Sequence, residues 1–266
     1  MSESLPTASV LVLNLNGREY LDSCVASLEA QVYPRDRFEI VVVDNGSTDG
    51  SIEFVRATYP RVRVLGFDSN LGFCAPYNTA IRNCQSEFVA LLNNDTRVAP
   101  DWLAELVSAA ERHGAAAVAS KILSWTGETI DFAGVVTSFI GHSWQAHLGE
   151  AATRSDEERA LLAPCAGSVL FARAAFLDAG GFDEDFFAYF EDVDLGWRLN
   201  LFGQRIVFAP TAVTYHRVHG TSSRWAFAQR TRLLERNALA MIYKNYEAST
   251  LERVLPAAIG LLLLRA

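Results

Sequence analysis

No G-x-G-x-x-G fingerprint and no P-loop occurs in the 266 residues. The first strand-to-helix turn, LNLNGREYL, holds a single glycine, so a dinucleotide-dependent dehydrogenase is not expected. Positive charge is also short. Lys and Arg number 23 against 31 Asp and Glu, a formal charge of −8, which disfavours a nucleic-acid-binding surface. Cysteine is sparse: Cys24, Cys74, Cys84 and Cys165 are scattered with no CxxC spacing. They read as reduced, structural thiols, which suits the cytoplasm. The opening MSESLPTASV lacks the basic and apolar regions of a secretory signal. No internal repeat, linker or low-complexity tract breaks the chain. The apolar stretch VLPAAIGLLLL, from Val254 to Leu264, is far shorter than the ~20 residues a membrane span needs. It fits a terminal helix packed on the body, a foot on a membrane surface, or a chain cut within an element.

Half the residues are apolar and a fifth are charged, ample for one large α/β core. Strand-like runs alternate with helical periodicity at about 25-residue intervals. SVLVLNL (Ser9 to Leu15), FEIVVV (Phe38 to Val43), Val62 to Phe67 and the run from Phe88 are four strands, the second and fourth of them buried. Helices follow around Leu21 to Leu28, Ser51 to Thr58, and Tyr77 to Ile81. The pattern predicts a parallel, doubly wound sheet with right-handed crossovers. After Ala119 the alternation breaks. Lys121 to Trp144 reads as extended segments with turns at Gly127, Gly134 and Gly141, and Glu150 to Arg159 as a mobile loop. Gln204 to Phe208 and Ala212 to Tyr215 read as two short strands, and Arg224 to Tyr246 as a long helix over the sheet.

The run FVALLNNDTRV carries the first chemical signal. A buried strand that stops at Asn93-Asn94-Asp95 delivers polar groups to the carboxyl edge of a parallel sheet, where ligands bind. Two readings fit. Asp95 is a ligand for a hard divalent cation, or the cluster is a turn before a helix at Asp101. Asp44 at the end of the second strand is likewise either a nucleotide contact or a turn residue. Glu191-Asp192-Val193-Asp194 is either catalytic or a helix-start cluster, and His216 either a ligand or a hydrogen-bonded histidine at a strand end.

Taken in order, VLVLNLNG, EIVVVDNGSTDGS, SNLGFCAPYN, FVALLNNDTRV, GGFDEDFFAYFEDVDLGWRL and YHRVHGTSS resemble the family-2 glycosyltransferases, with the flavour of their bacterial rhamnosyltransferase-like branch. The likeness spans about Ser9 to Ser223. It implies the GT-A fold: a Rossmann-like, mostly parallel sheet with helices on both faces, and a mixed acceptor-binding second half. A single such domain would cover 1–266. A nucleotide-sugar-binding half would span about 8–119, an acceptor-binding and catalytic half about 120–223, and C-terminal helices about 224–266.

The resemblance also implies roles. Asn93-Asn94-Asp95 takes the place of the family's Asp-x-Asp metal motif with its first acid replaced by Asn. Asp95 then becomes the main carboxylate for Mg²⁺ or Mn²⁺, and His216, or His219 in a shifted register, a further ligand. Asp44, Asn14 and Asn45 would contact the nucleotide, while Asn70, Asn78 and Asn94 line the same pocket. Asp192 matches the general base of an inverting transfer. Glu191 would bind the acceptor, and Asp194 would lie at the substrate or orient a neighbour such as Arg198. Arg217, Ser222, Ser223 and Arg224 could close over the diphosphate. The implied donor is a UDP-, dTDP- or GDP-sugar, and the acceptor is a saccharide or lipid-linked hydroxyl in bacterial surface-glycan synthesis. No nucleic acid is expected. The location would be cytoplasmic, with room for peripheral association at the inner face of the plasma membrane. Two rivals remain at this stage. A sugar-phosphate nucleotidyltransferase would need a glycine-rich, basic loop that Asn14 to Arg18 does not offer. A non-catalytic nucleotide-sugar-binding module would leave Asp95, Asp192 and His216 without a purpose.

Overall fold

Strands whose successive residues are all apolar need cover on both faces, and the chain provides it. The computed structural model describes residues 5–217 and 227–265. Its first half runs β1 (Ala8–Asn14), α1 (Arg18–Glu29), β2 (Phe38–Asp44), α2 (Ser51–Thr58), β3 (Arg63–Gly66), α3 (Cys74–Asn83) and β4 (Phe88–Asn93). β5 (Thr96–Val98), α4 (Trp102–His113), β6 (Ala117–Ser124), β7 (Ile130–Phe132), β8 (Val135–Thr137) and β9 (Ser143–Gln145) follow. The remainder is β10 (Arg159–Ala160), β11 (Ser168–Ala172), α5 (Arg173–Asp178), a 3₁₀ turn at Glu184–Phe186, α6 (Glu191–Leu201), β12 (Ile206–His216), α7 (Phe227–Asn245) and α8 (Ala248–Arg265).

The main sheet runs β10-β12-β6-β11-β4-β1-β2-β3, with β5 added to β12 and β7 to β6. β1 pairs in parallel with both β2 and β4, and β2 with β3. Period-two alternation then splits the core. Val10, Val12, Ile40 and Val42 pack with Leu21, Val25 and Leu28 of α1 and Trp102 and Leu106 of α4. Leu11, Val41 and Val43 pack on the other side with Tyr77, Phe171, Phe176, Leu195 and Met241. Each large aliphatic side chain buried this way contributes about 1.5–3 kcal/mol.

β11 runs antiparallel to both β4 and β6, and β12 runs parallel to β6. The two reversals leave β12 pointing the same way as β4, so its last residue, His216, reaches the same sheet edge as Asn93. The expected pair of strands at Gln204–Phe208 and Ala212–Tyr215 is this one strand, with its register shifted between Ala209 and Val213. Pro210 lies in the gap. Having no N–H to give the ladder, it is tolerated at such an irregularity. β5 was not legible, because three residues carry too little pattern. It is held by antiparallel pairing of Thr96, Arg97 and Val98 with the end of β12. The segment read as a mobile loop, Glu150 to Arg159, is tied down instead. Ala151 bridges Thr129, Asp156 pairs with the buried Lys121, and Glu158 pairs with Arg112 and His113.

Candidate active site

The ends of β1, β2 and β4 lie side by side, since Asn14 is in register with Asp44 and Leu13 with Asn93. Two carboxamides, a carboxylate and a hydroxyl therefore meet at one edge and satisfy one another. Asn14 Nδ2 donates to Asp44 Oδ1 at 3.1 Å and to Ser47 Oγ at 3.0 Å, while Asn94 Nδ2 donates to Asn14 Oδ1 at 2.7 Å. Gly17 makes room for this knot, as a Cβ there would fall 2.0 Å from Asn94 Nδ2. Asn45 Nδ2 donates to Asn70 Oδ1 at 2.9 Å and to the Gly72 carbonyl at 2.8 Å, fastening β2 to the SNLG turn.

A cavity of about 720 Å³ opens at this edge. Asn45, Asn70, Asn93, Asn94, Asp95, Asp131, Glu191, Asp192 and His216 form its polar wall. Trp144, Leu148, Tyr189, Phe190, Arg230 and Leu234 line it as well. The sequence-predicted residues Asn45, Asn70, Asn94, Asp95, Glu191, Asp192 and His216 are thus brought together.

Four others are not in the lining. Asn14 and Asp44 are buried, with both Asp44 oxygens engaged by Asn14 and by the Ser47 N–H, so they act from behind the wall. Asn78 spends its amide on the Phe182 backbone and the Glu184 carboxylate. Asp194, fully buried, spends its carboxylate on Arg198, Lys244 and Asn245. Of its two expected roles, orienting a basic neighbour is the one its contacts fit. Arg217 stacks over Trp125, 4.2 Å from the ring centre, and donates its backbone N–H to the Asp95 carbonyl. His219, Ser222, Ser223 and Arg224 lie outside the described residues.

Asp95 and His216 form one chemical group. Asp95 Oδ1 is buried with no hydrogen-bond partner, and His216 Nε2 lies 3.5 Å from it. His216 Nδ1 contacts Asp131 Oδ2 at 2.6 Å. Burial pulls the imidazole pKa down, but the hydrogen bonds and charges of Asp131 and Asp95 outweigh it, so the value rises to about 10. Among the described residues no three His, Cys, Asp or Glu side chains form a complete metal cage. An orphaned carboxylate oxygen beside an imidazole nitrogen is nonetheless a donor pair that fits a divalent cation whose other ligands come from phosphate and water.

Glu191 and Asp192 open α6, whose first residue follows Phe190. Neither caps the helix with its side chain. Asp192 Oδ2 accepts from the Ala166 N–H at 3.0 Å, and Oδ1 from the Val193 N–H at 2.8 Å. Burial pushes the Asp192 carboxyl above its ordinary range, against the pull of these backbone donors. Glu191 is raised further, by burial and then by the neighbouring Asp192 charge, and its Oε2 has no hydrogen-bond partner. Leading into the pair, Phe187, Tyr189 and Phe190 all have positive φ (64°, 72° and 66°), a strained run for bulky side chains. Two contacts hold it there. Asn237 of α7 donates to the carbonyls of Phe186, Ala188 and Tyr189, and the Phe73 N–H donates to the Phe187 carbonyl at 2.6 Å. Gly72 allows that approach, because a Cβ on it would sit 2.6 Å from the same carbonyl oxygen.

Asp131 and Asn237 are the residues that sequence reasoning missed. An Asp between two apolar residues on a three-residue strand and an Asn inside a long helix carry no motif.

Residues 9–177 match the family described as glycosyl transferase family 2. The O-antigen biosynthesis protein RfbC of Myxococcus xanthus is 36% identical over 234 residues, covering 84% of this chain and 18% of that protein. The N-acetylglucosaminyl-diphospho-decaprenol L-rhamnosyltransferase of Mycobacterium tuberculosis is 30% identical over 246 residues, covering 83% of this chain and 78% of the relative. The chain thus spans under a fifth of the first relative and most of the second. Among solved structures, GalNAc-T7 with UDP, GalNAc and Mn²⁺ superposes with a TM-score of 0.73 at 18% identity, over 91% of this chain and 48% of that one. The mannosyltransferase PcManGT from Pyrobaculum calidifontis, with GDP-Man and Mn²⁺, gives 0.67 at 22% identity, over 96% and 69%. At these identities the likeness establishes the fold, which is GT-A.

Proposed function

From the premise that the chain belongs to glycosyl transferase family 2, we propose that it is a cation-dependent, inverting glycosyltransferase. It moves a sugar from a UDP-, dTDP- or GDP-sugar to a hydroxyl of a saccharide or lipid-linked acceptor in bacterial surface-glycan synthesis. The observation that carries this reading is the shared cavity, whose lining includes both the Asp95–His216 donor pair and Asp192.

The cavity residues divide the work. Asn70 and Asn94 offer amides to the nucleotide, Asn94 held by the Asn14–Asp44 knot and Asn70 by Asn45. Asp95 and His216 would hold Mg²⁺ or Mn²⁺, which when bound neutralises charge on the departing nucleoside diphosphate. Asp192, fixed by the Ala166 and Val193 N–H groups, accepts the proton of the acceptor hydroxyl as that oxygen bonds to the anomeric carbon. The bond from that carbon to the diphosphate oxygen breaks on the opposite face, so the configuration inverts. Burial favours the neutral form of Glu191, which can donate a hydrogen bond to an acceptor oxygen. The four cysteines, all free, suit the cytoplasm. Among the described residues no helix is long and apolar enough to cross a membrane. α8 instead leaves Ile259, Leu261, Leu263 and Leu264 exposed, and we place that end of the helix against the inner surface of the plasma membrane.

Thermal unfolding across UDP-, GDP- and dTDP-sugars, with and without Mn²⁺ or Mg²⁺, tests the site. Ligand at ~100 times its Kd should add about 2.7 kcal/mol, on the order of 5–10 °C for a chain of this size. One nucleotide should give a cation-dependent shift, and Asp95→Ala should lose it. No shift with any nucleotide would return Asn93 to Asp95 to the status of a turn.

A further inference from the structure

His216 offers two ring nitrogens to two carboxylates, and only one of those contacts faces an unsatisfied oxygen. Nδ1 meets Asp131 Oδ2 at 2.6 Å, within strong hydrogen-bond range, while Nε2 stands 3.5 Å from the orphaned Asp95 Oδ1. Asp131 is itself nearly buried, its side chain 12% exposed. Ile130 and Phe132, buried on either side of it, pin β7 in place. β7 pairs with β6, and so does β12, whose residues Tyr215 and His216 lie beside Leu123 and Ser124. Carboxylate and imidazole thus come from two strands fastened to the same third strand. Their separation is set by the sheet rather than by a loop.

We propose that Asp131 is a positioning residue for the divalent-cation site: accepting the Nδ1 hydrogen of His216, it fixes the ring so that Nε2 faces Asp95. A histidine ring turns easily about its last torsion, since that rotation has broad, roughly two-fold wells. Without an anchor on Nδ1, either nitrogen or neither would face the cation. A carboxylate behind a metal-binding imidazole removes that freedom and raises the basicity of the ligating nitrogen, and losing such a partner typically costs 10–100-fold in affinity. Asp131 is not placed as a ligand, because the oxygen it presents is already engaged with Nδ1. The proposal rests on Asp95 and His216 being the cation ligands, and its test separates the two ideas.

Mn²⁺ binding is titrated by the loss of the free-ion electron paramagnetic resonance signal, in the presence of UDP, GDP or dTDP, whichever supports binding to the wild type. Asp131→Ala should weaken Mn²⁺ binding by about 10–100-fold. Asp131→Asn, whose amide oxygen still accepts from Nδ1–H, should recover most of that loss. Cation-free unfolding temperature should stay close to wild type in the Asn variant. If Asp131→Ala fails to fold, Asp131→Leu carries the same expectation, as it fills the space without accepting a hydrogen bond. Equal Mn²⁺ affinity in the Ala or Leu variant and the wild type overturns the proposal alone. So does an Asn variant as weak as Ala, which would assign charge rather than orientation to Asp131. A wild type that takes up no Mn²⁺ with any nucleotide overturns the cation site, and this proposal with it.

Discussion

Replacing Asp192 with Asn should separate chemistry from binding, and the geometry sets both magnitudes. The carboxylate receives one backbone N–H on each oxygen, from Val193 at 2.8 Å and Ala166 at 3.0 Å. An Asn fills the same volume but must aim its NH₂ at one of those donors. One buried N–H then loses its acceptor, at a cost of about 1–3 kcal/mol, or roughly 2–12 °C in Tm for a protein of this length. The chemical loss should be larger. A general base is worth about 10²–10⁴-fold, which is ~2.7–5.4 kcal/mol of barrier. The assay is the initial rate of nucleoside diphosphate release at saturating donor and acceptor, set beside the nucleotide Kd of the same preparation. The expected result is a kcat lowered by those factors with Kd unchanged. A variant keeping more than about a tenth of wild-type kcat would sink the assignment of Asp192 as the base.

The same residue predicts a pH dependence. Burial raises the Asp192 carboxyl, opposed by the Ala166 and Val193 donors, and Glu191 is raised with it, by burial and by the Asp192 charge. A base works ionised, so kcat/KM should climb with pH along a limb lying above the ordinary carboxylate range of about 4. The limb belongs to the pair, because the charge on one carboxylate raises the other, and Asp192→Asn should no longer show it. The stability sign runs the other way. A folded-state pKa above the unfolded one gives stabilisation that is present below the unfolded value and lost as pH rises through the raised value. The stability advantage of wild type over the Asn variant should therefore be greatest in acid and shrink toward neutrality.

Two further outcomes follow from charges elsewhere. Asp194→Ala would leave Arg198 and Lys244 facing a site without its carboxylate, 17% and 30% exposed respectively. Breaking a buried pair costs about 3–5 kcal/mol, and the lower end is expected because Lys244 keeps Asp183 as a partner. Urea unfolding measures this, and a loss under about 1 kcal/mol would show that the pairing does not hold α6 to α7. Residues 221–266 carry seven Arg or Lys against three Glu in a chain of net charge −8. With the exposed leucines of α8, they should carry the full chain down with anionic lipid vesicles, more weakly at high salt and in Leu263→Asp. Equal sedimentation with neutral vesicles would assign the effect to the apolar face alone, and no sedimentation would remove the membrane reading.

What was legible in the sequence follows from how far each signal extends along the chain. β1, β2 and β4 announce themselves because burial on both faces demands an unbroken apolar run, four or five residues long in each, ending in Asn or Asp. β5, three residues long, carries too little pattern to be read, and β12, interrupted at Pro210, reads as two short strands rather than one. The cavity residues nearest strand ends, Asn45, Asn94, Asp95 and His216, could be named because a strand end is a place a pattern can point to. Asp44, Asn78 and Asp194 lie outside the cavity lining for a shared reason. A polar residue in the right motif can equally face inward, and only its partners (Asn14 and Ser47, Phe182 and Glu184, Arg198 and Lys244) tell which way it faces.

The topology explains why the site draws on both halves of the chain. A purely parallel continuation of β1, β2 and β4 would supply asparagines and two carboxylates, Asp44 and Asp95, enough to hold a nucleotide and little more. Inserting β11 antiparallel between β4 and β6 turns the direction twice, so β6 and β12 end at the same edge as β4. His216 then arrives beside Asp95, and Asp131 arrives on β7, which is paired to β6. The loop before β11 also delivers the Ala166 N–H that grips Asp192. α7 closes the arrangement from the far end of the sequence, where Asn237 holds the carbonyls of the strained turn that launches α6. Residues 9–177 carry the family match, yet Asp192, His216 and Asn237 all lie beyond them. The matched segment supplies the asparagines and Asp95 of the cavity, and the proposed second cation ligand reaches them only because β11 runs antiparallel.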